Sequence, residues 1–268
     1  MKRIAIISDL HCGHRGGLTP PSYQYIETGA GRRSAYAVLQ KSLWDWFEEK
    51  AKSLGKIDCL VINGDAIDGK GARSGGRELI TADRDEQIEM AEMCAMAFDA
   101  KRYIVVEGTP YHTGNEESWE AMLAQSLGCN MEDKGKEAAE FGAHVWIDVD
   151  GVIFDFRHKV GSSSIPHGRL TAPQRAALWN VLYAEKGIQP NANIIVRSHV
   201  HYFTAAFTTS KTVITTPALQ THSNYGSREC DGTNDIGFIS FDIEDGKANM
   251  NTHLYEGKDI LKAKVLKI

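Results

Sequence analysis

Six carboxylate and imidazole side chains follow short apolar runs, and these side chains are of the types that bind transition metals. Such groups suit Mn, Fe, Zn or Co, whereas Ca and Mg prefer all-oxygen sites. One tetrahedral ion needs fewer ligands, but two ions about 3.5–4 Å apart that share a carboxylate would use them all. The candidate metal ligands are Asp9, His11, Asp65, His158, His199 and His201.

Two ligand pairs have their members two residues apart. Asp9 and His11 follow the first apolar run, and His199 and His201 follow a later one. In extended chain such residues point to the same side, so one cation could meet both members of a pair. Asp65 is a single short carboxylate between the pairs in sequence, and it is the natural bridge between two ions.

Each feature taken alone has an ordinary structural explanation. An Asp after a strand is commonly a turn residue or a helix cap, and a lone histidine such as His158 is commonly a partly buried side chain. All these residues, however, fall at predicted strand ends and in one compatible order. Their coincidence favours a metal centre.

The elements that must position these residues follow from the hydrophobic pattern. In the first half, short β-branched runs alternate with apolar residues at helical spacing, which predicts an α/β sheet with ligands in loops at the carboxyl ends of its strands. In the second half an Asp-Gly pair at 150–151 predicts a hairpin, and Thr171 is expected to cap a helix. Two packed sheets flanked by helices, in one domain over 1–268, accommodate this pattern. The predicted strands are 2–8, 57–62, 103–106, 145–149, 152–156, 194–196, 203–207, 212–215 and 237–241, and the predicted helices are 33–54, 81–100, 116–127 and 171–182.

Composition excludes several classes of protein. The formal charge of -5 argues against a dedicated binder of long duplexes, although small phosphorylated substrates remain compatible with it. Five scattered cysteines without a CxxC pair argue against a disulfide framework and a zinc knuckle. The first apolar run is too short for a signal peptide, and no run approaches membrane-spanning length, so we expect a cytoplasmic protein without a membrane partner.

The motifs together resemble the calcineurin-like metallophosphoesterase family. The resemblance spans Asp9 to His201 and rests on Asp9-x-His11, Gly64-Asp65-x-x-Asp68, Gly108…His112, His158 and His199-x-His201. It implies a four-layer α-β-β-α sandwich of two mixed sheets. It also implies one metal on Asp9, His11, Asp65 and His201, and a second on Asp65, His158, His199 and the Asn of the family's third motif.

The third motif departs from the family pattern of Gly-Asn-His-Asp/Glu. Thr109 stands at the Asn position, and His112 resembles the histidine that protonates the leaving alkoxide. Thr109, Asn115 or water could complete the second metal shell, and His112 could instead be a ligand. The variant resembles the third motif of phage-type members. In the last motif Ser198 replaces the usual Gly, a change expected to matter little.

These observations predict a hydrolase of phosphoesters with a dinuclear, manganese-type centre and a bridging hydroxide; Fe, Zn, Ni or Co would also suit the ligands. A phosphodiester of nucleotide type, or a nucleic-acid end, is the favoured substrate and partner. A phosphomonoesterase or protein phosphatase is the alternative, and a non-catalytic binding module on the same fold is the second. The glycine-rich loop 69–77 is expected to be solvated rather than to bind phosphate, and the oligomeric state is left open.

Overall fold

Alternation along the first strand, β1 (Lys2–Ile7), sends apolar side chains to both of its faces. Ile4 and Ile6 lie in one hydrophobic cluster, Ala5 and Ile7 lie in another, and all four side chains are buried. A strand that is buried on both faces requires a further layer on each side.

The computed structural model describes residues 1–29, 31–114, 118–129, 140–221 and 234–257.

The first large sheet places β1 at its centre, in the order β13-β12-β1-β3-β5-β6. Strands β1, β3, β5 and β6 run parallel, while β12 and β13 pair antiparallel at one edge. A separate two-stranded parallel sheet joins β2 to β4. The strands after β1 in this part of the fold are β2 (Lys56–Ile57), β3 (Cys59–Asn63), β4 (Asp99–Ala100), β5 (Tyr103–Val106), β6 (Phe141–Gly142), β12 (Gly237–Glu244) and β13 (Lys247–Leu254).

The second large sheet has the order β10-β11-β9-β8-β7 and is also mixed. Its central strands β8, β9 and β11 are parallel, and antiparallel strands flank them at both edges. The predicted Asp-Gly hairpin is confirmed, with the pairing Val149↔Val152 next to the turn. The strands are β7 (Val145–Val149), β8 (Val152–Phe156), β9 (Ile194–Arg197), β10 (Thr204–Phe207) and β11 (Thr212–Thr215).

The two sheets pack face to face, and helices cover their outer faces. Ile6 from the first sheet and Phe154 and Val196 from the second belong to one buried apolar cluster between the sheets. On the outer face of the first sheet, helix residues such as Phe47 and Leu123 complete a second cluster. This arrangement confirms the predicted four-layer α-β-β-α sandwich. The helices are α1 (Gly31–Ser53), α2 (Arg84–Ala95), α3 (Pro110–Thr113), α4 (Trp119–Ser126) and α5 (Thr171–Glu185).

Helix α5 covers the second sheet and begins differently from expectation. Thr171 is its first helical residue rather than its cap, and Leu170 occupies the cap position without a side-chain hydrogen bond. Leu178 and Trp179 are more than half exposed, so the helix buries only part of its apolar surface against the sheet. Within the part of the chain that the structure describes, no helix has the length and apolar content needed to cross a membrane.

Candidate metal centre

Loops from both sheets meet where their strands end. Asp9 and His11 follow β1, and Asp65 follows β3, all in the first sheet; His158 follows β8 in the second. The pair His199 and His201 follows β9, and His112 lies on α3 after β5. The structure therefore brings all six candidate ligands and the candidate acid to one edge of the sandwich.

Asp9, His11 and His201 form the first group that could hold a metal ion, with their ligand atoms within 4.8 Å of one another. Nε2 of His201 lies 3.2 Å from Oδ1 of Asp9 and 3.3 Å from Nε2 of His11. Residues 190 positions apart thus converge on one point. This grouping comes from the Asp-x-His and His-x-His pairs that the sequence singled out.

Asp65, His158 and His199 form the second such group, again within 4.8 Å. Oδ2 of Asp65 lies 2.9 Å from Nε2 of His158 and 3.9 Å from Nδ1 of His199. Nε2 of His158 also lies 3.9 Å from Oδ1 of Asp9, which joins this group to the first. Two neighbouring groups are the arrangement expected for two ions.

A third group, of His11, Asp65 and His112, shares His11 with the first group and Asp65 with the second. The ring of His112 meets that of His11 edge to face, with the centroids 4.5 Å apart. His112 is therefore close enough to act as a ligand as well as a proton donor, so the geometry retains both roles.

Hydrogen bonds at Nδ1 fix the tautomers of three histidines. Nδ1 of His158 lies 2.7 Å from the carbonyl oxygen of Asn63, and Nδ1 of His112 lies 2.8 Å from that of Asp68. Nδ1 of His11 lies 3.0 Å from the Asp68 carboxylate. Because these oxygens only accept, each Nδ1 carries the proton, and in the neutral ring Nε2 is left with a lone pair. Ligating histidines commonly have such outer partners.

Two buried atoms at the centre lack a hydrogen bond from any described residue. They are Oδ1 of Asp9 and Nε2 of His158, and both side chains are at most 1% exposed. Nε2 of His158 approaches Asp65 without hydrogen-bond geometry. Buried polar atoms are normally satisfied, and an unsatisfied pair of this kind fits an ion site. The donor set, two carboxylates among imidazoles, is that of a transition metal.

The ionisation of these groups reflects their burial and mutual charges. Burial opposes ionisation of Asp9 and Asp65, but His201 and His158 outweigh it and hold both pKa values well below the usual range. Burial likewise opposes protonation of His158, yet Asp65 and Asp9 raise its pKa to about 10. Burial and the neighbouring His112 lower the pKa of His11 to about 4. Asp9 and Asp65 are therefore ionised, whereas His158 would have to release its second proton to bind an ion.

The ligand pairs do not lie in extended chain, contrary to the sequence argument. Positive φ angles, 47° to 75°, occur at Asp9, His11, Asp65, His199 and His201. Such a conformation costs a non-glycine residue about 1 kcal/mol or more. Hydrogen bonds between adjacent loops hold it in place: Asp9 N–H donates to Gly64 O at 3.0 Å and His11 N–H to Asp65 O at 3.1 Å. The pairs converge through loop geometry rather than strand alternation.

The variant third motif contributes Thr109 as a hydrogen-bond donor to Asp65 rather than as a free ligand. Its backbone N–H and its hydroxyl both reach Oδ1 of Asp65, at 2.7 and 3.1 Å. Gly108 is required beside it, because a Cβ there would collide with the backbone N and Oδ1 of Asp65. Asn115, the other candidate for the missing position, lies outside the described residues.

Glu120 is a site residue that sequence reasoning missed. It is fully buried on α4 and accepts hydrogen bonds from Ala66 N–H at 2.7 Å and Gly108 N–H at 2.6 Å. Burial, followed by the charge of Asp65, raises its pKa to about 8. One carboxylate thus fastens the loop after β3 to the loop after β5. Nothing local in the sequence links Glu120 to these amides.

Ser198 also matters more than the sequence suggested. Its hydroxyl lies 2.7 Å from the Asn63 side-chain amide and 2.7 Å from Oγ1 of Thr216, which lies 2.7 Å from Oγ of Ser8. All four side chains are buried. This network of hydroxyl and amide groups joins the ends of β1, β3 and β9 beneath the ligands.

Several further histidines and one cysteine have structural roles. His144 hydrogen-bonds Asp155 at 2.9 Å, His253 contacts Ser240, and Nδ1 of His14 accepts from Gly16 N–H at 3.0 Å. The Cys12 thiol is buried 3.8 Å from that of Cys94, which supports a packing role. His222 and Cys230 lie outside the described residues.

Comparison with known proteins gives likenesses of structure only. No family model and no curated protein matches the chain. Zn²⁺-bound Vps29 from Entamoeba histolytica is 14% identical, with a TM-score of 0.42 over 94% of this chain and 98% of that one. A predicted phosphoesterase from Streptococcus pneumoniae TIGR4 is 12% identical, with a TM-score of 0.41 over 96% and 94%. An archaeal phosphodiesterase is 11% identical, with a TM-score of 0.44 over 94% and 99%. The chemistry assigned to this chain rests on its own residues.

Proposed function

We propose that this chain is a metal-dependent phosphoester hydrolase that acts on phosphodiesters of nucleotide type or on nucleic-acid ends, with Mn²⁺ as its metal. One observation carries the proposal. Oδ1 of Asp9 and Nε2 of His158 are buried without hydrogen bonds from described residues, at the junction of two His/Asp groups. Divalent cations, when bound there, would supply Lewis acidity toward phosphoryl oxygens and would acidify water.

The residues of the chain have separable roles in this proposal. Asp9, His11 and His201 would hold one cation, His158 and His199 would hold a second, and Asp65 would serve both. Asp68 orients two rings at once, because its carboxylate faces Nδ1 of His11 and its carbonyl faces Nδ1 of His112. Such outer partners are typically worth about 10- to 100-fold in metal affinity or activity.

His112 is the proposed proton donor to the leaving oxygen. Its Nδ1 is engaged by the Asp68 carbonyl, so a second proton on the ring would sit on Nε2. The Asp68 carboxylate lies 3.6 Å from Nδ1. The His112 side chain is 16% exposed, which leaves it accessible to a substrate. An alkoxide leaving group, as in a nucleotide diester, requires such a donor.

Hydrolysis tests the proposal directly. Metal-free protein would be reloaded with Mn²⁺, metal ions per chain would be counted, and turnover of bis-p-nitrophenyl phosphate would be compared with that of p-nitrophenyl phosphate. We expect two ions per chain and a preference for the diester. A preference for the monoester would favour the phosphatase alternative, and a chain that binds no metal would favour a binding module.

A pair of carboxylate variants makes the test specific. Asp65→Asn should lower kcat/KM by more than about 100-fold, since even outer-shell partners are worth about 10- to 100-fold. Asp58→Asn is the matched control, because Asp58 pairs with Lys101 and Lys2 away from the metal centre. Unchanged turnover in Asp65→Asn would contradict the assignment of Asp65.

A further inference from the structure

A cavity of about 430 Å³ lies beside the loop that carries His11. Ligand sites for small molecules typically measure about 300–1,000 Å³. Its walls combine two guanidinium groups, two phenol rings and two aliphatic side chains. The residues lining this cavity, which we call the arginine pocket, are Arg15, Tyr25, Arg33, Tyr36, Leu79 and Ile80.

The arginine pocket is close to the metal centre through a short stretch of chain. The His14 N–H donates to the His11 carbonyl at 3.0 Å and closes a turn, so the Cα atoms of these residues lie within about 7 Å. Arg15 is the next residue, so its Cα lies within about 11 Å of that of His11. The pocket and the candidate ligand His11 are therefore carried by the same short stretch of chain.

Hydrogen bonds hold the walls of the pocket together. The amide of buried Gln40 donates to the Arg15 carbonyl at 2.9 Å and accepts from Tyr25 N–H at 2.8 Å. The Ile80 N–H donates to the Gly13 carbonyl at 2.7 Å, which ties the aliphatic wall to the same loop. These hydrogen bonds tie three walls of the pocket to the segment that follows His11.

The charge and shape of the pocket favour an anion with a planar part. Arg15 is neutralised by Glu78, at 2.8 Å, but Arg33 forms no ion pair with any described residue. Each guanidinium lies over a tyrosine ring, Arg15 4.6 Å from the Tyr36 centroid and Arg33 4.5 Å from that of Tyr25. Guanidinium planes and aromatic rings stack on nucleobases, and guanidinium N–H groups bind phosphate.

We propose that the arginine pocket binds a nucleoside monophosphate unit of the substrate, next to the phosphoester held at the metal centre. The base lies against the stacked Arg and Tyr side chains, and the phosphate of this unit meets Arg33. The role of the pocket in turnover rests on the proposed function, whereas its binding of a nucleotide does not.

Binding to the metal-free chain tests the pocket by itself. Full-length protein stripped with EDTA would be titrated calorimetrically with adenosine 5′-monophosphate, adenosine and inorganic phosphate. We expect the nucleotide to bind at least about tenfold more tightly than either part alone. Equal affinity for the nucleotide and for phosphate would overturn the proposal, since it would show a simple anion site.

Two arginine variants locate that binding. Arg33→Met should weaken nucleotide binding by about tenfold or more, the scale of one charged hydrogen bond. Arg102→Met is the control, because it removes the same charge from an exposed arginine, one that pairs with Glu140. Arg102 directly precedes β5, at the opposite end of that strand from His112, so this variant should leave nucleotide affinity unchanged. Thermal melting would verify that both variants fold. Equal nucleotide affinity in the two variants would overturn the proposal.

Turnover then separates the two proposals. In the Mn²⁺-loaded protein, Arg33→Met should raise KM about tenfold for thymidine 5′-phosphate 3′-(p-nitrophenyl phosphate), which carries a second phosphate beside the scissile ester, but leave KM for bis-p-nitrophenyl phosphate unchanged. Nucleotide binding that depends on Arg33 in a chain that hydrolyses neither ester would refute the phosphoesterase and support the pocket. Hydrolysis without Arg33-dependent nucleotide binding would refute the pocket alone.

Discussion

Thr109 donates twice to one oxygen of Asp65, from its backbone N–H at 2.7 Å and from its hydroxyl at 3.1 Å. Both side chains are buried. The residue at the variant position of the third motif therefore orients the carboxylate that belongs to both the second and the third His/Asp group. It acts through Asp65 and is a positioning residue.

Thr109→Val should keep the backbone hydrogen bond and remove the one from the hydroxyl. We expect Mn²⁺ affinity to fall by about 10-fold, the lower end of the range for outer-shell partners, with little loss of folding free energy. Calorimetric titration of the metal-free protein measures this affinity. Thr113→Val is the control, because the Thr113 hydroxyl contacts the Thr109 carbonyl instead of a carboxylate. Wild-type metal affinity in Thr109→Val would refute the positioning role.

His112→Ala should distinguish the acid from the ligand. If His112 donates the proton, its loss lowers kcat by about 100-fold or more for a dinucleotide with an alkoxide leaving group. The loss should be much smaller for bis-p-nitrophenyl phosphate, because nitrophenolate leaves without a proton. Metal content is measured on the same samples. Equal losses on both substrates, together with fewer bound ions, would identify His112 as a ligand.

Glu120→Gln should loosen two loops at once. An amide offers one acceptor oxygen where the Glu120 carboxyl group accepts with both of its oxygens, so one of the amides of Ala66 and Gly108 is left facing an N–H₂ group. A buried donor without a partner costs about 1–3 kcal/mol of folding free energy. We expect a lower unfolding midpoint in urea and weaker Mn²⁺ binding.

A packing variant separates these two effects of Glu120. Leu43→Ala on α1 removes apolar volume from the outer cluster of the first sheet and should cost about 2–5 kcal/mol. It should leave Mn²⁺ affinity unchanged in the folded protein. If both variants weaken metal binding in proportion to lost stability, Glu120 has no specific role at the centre.

Asp155→Asn should destabilise the second sheet in a pH-dependent way. Burial alone would raise the pKa of Asp155, but the hydrogen bond from His144 and the charge of Arg197 outweigh it and lower the pKa. Arg197, 2.6 Å away and 5% exposed, would lose its counter-ion. Breaking such a pair costs about 3–5 kcal/mol at pH 7.

The sign of this pH dependence follows from the lowered pKa. The carboxylate stabilises the fold above its unfolded pKa of about 3.9, and the contribution disappears as the pH falls through the lower folded pKa. Urea unfolding from pH 7 down to pH 3 should therefore show the gap between wild type and Asp155→Asn narrowing below about pH 4. Asp58→Asn, at a partly exposed pair, should cost at most about 1 kcal/mol. A gap that stays constant to pH 3 would contradict the prediction.

The secondary-structure elements that have a distinctive local sequence pattern could be predicted. The hairpin at 150–151 and the strands β1 and β11 follow from β-branched runs and turn residues. Two packed sheets flanked by helices were expected from the succession of strands and helices, and the four-layer form was implied by the family resemblance. Strand β13 was missed because it is an edge strand with few apolar residues, and it is stabilised by pairing with β12. Helix α3 was missed because a single turn after Pro110 has no periodicity to detect.

The candidate ligands could be found because their residue types and order are visible in the chain. Their conformation could not, because the positive φ angles at Asp9 and His11 depend on hydrogen bonds to the loop after β3. Glu120 could not be found either, since it acts through backbone amides brought close by tertiary folding. The arginine pocket likewise joins α1 to three separate stretches of chain.

The central position of β1 has a consequence for synthesis. Its residues 2–6 pair on one side with β12, at residues 239–243, and on the other with β3. On the ribosome β3 emerges soon after β1, but β12 emerges almost a whole chain later. Until then one edge of the apolar strand β1 has no hydrogen-bonded neighbour, and unpaired strand edges can pair with other chains. The nascent chain is thus most exposed to misassembly before β12 is translated, and binding by a chaperone would protect it most in that interval.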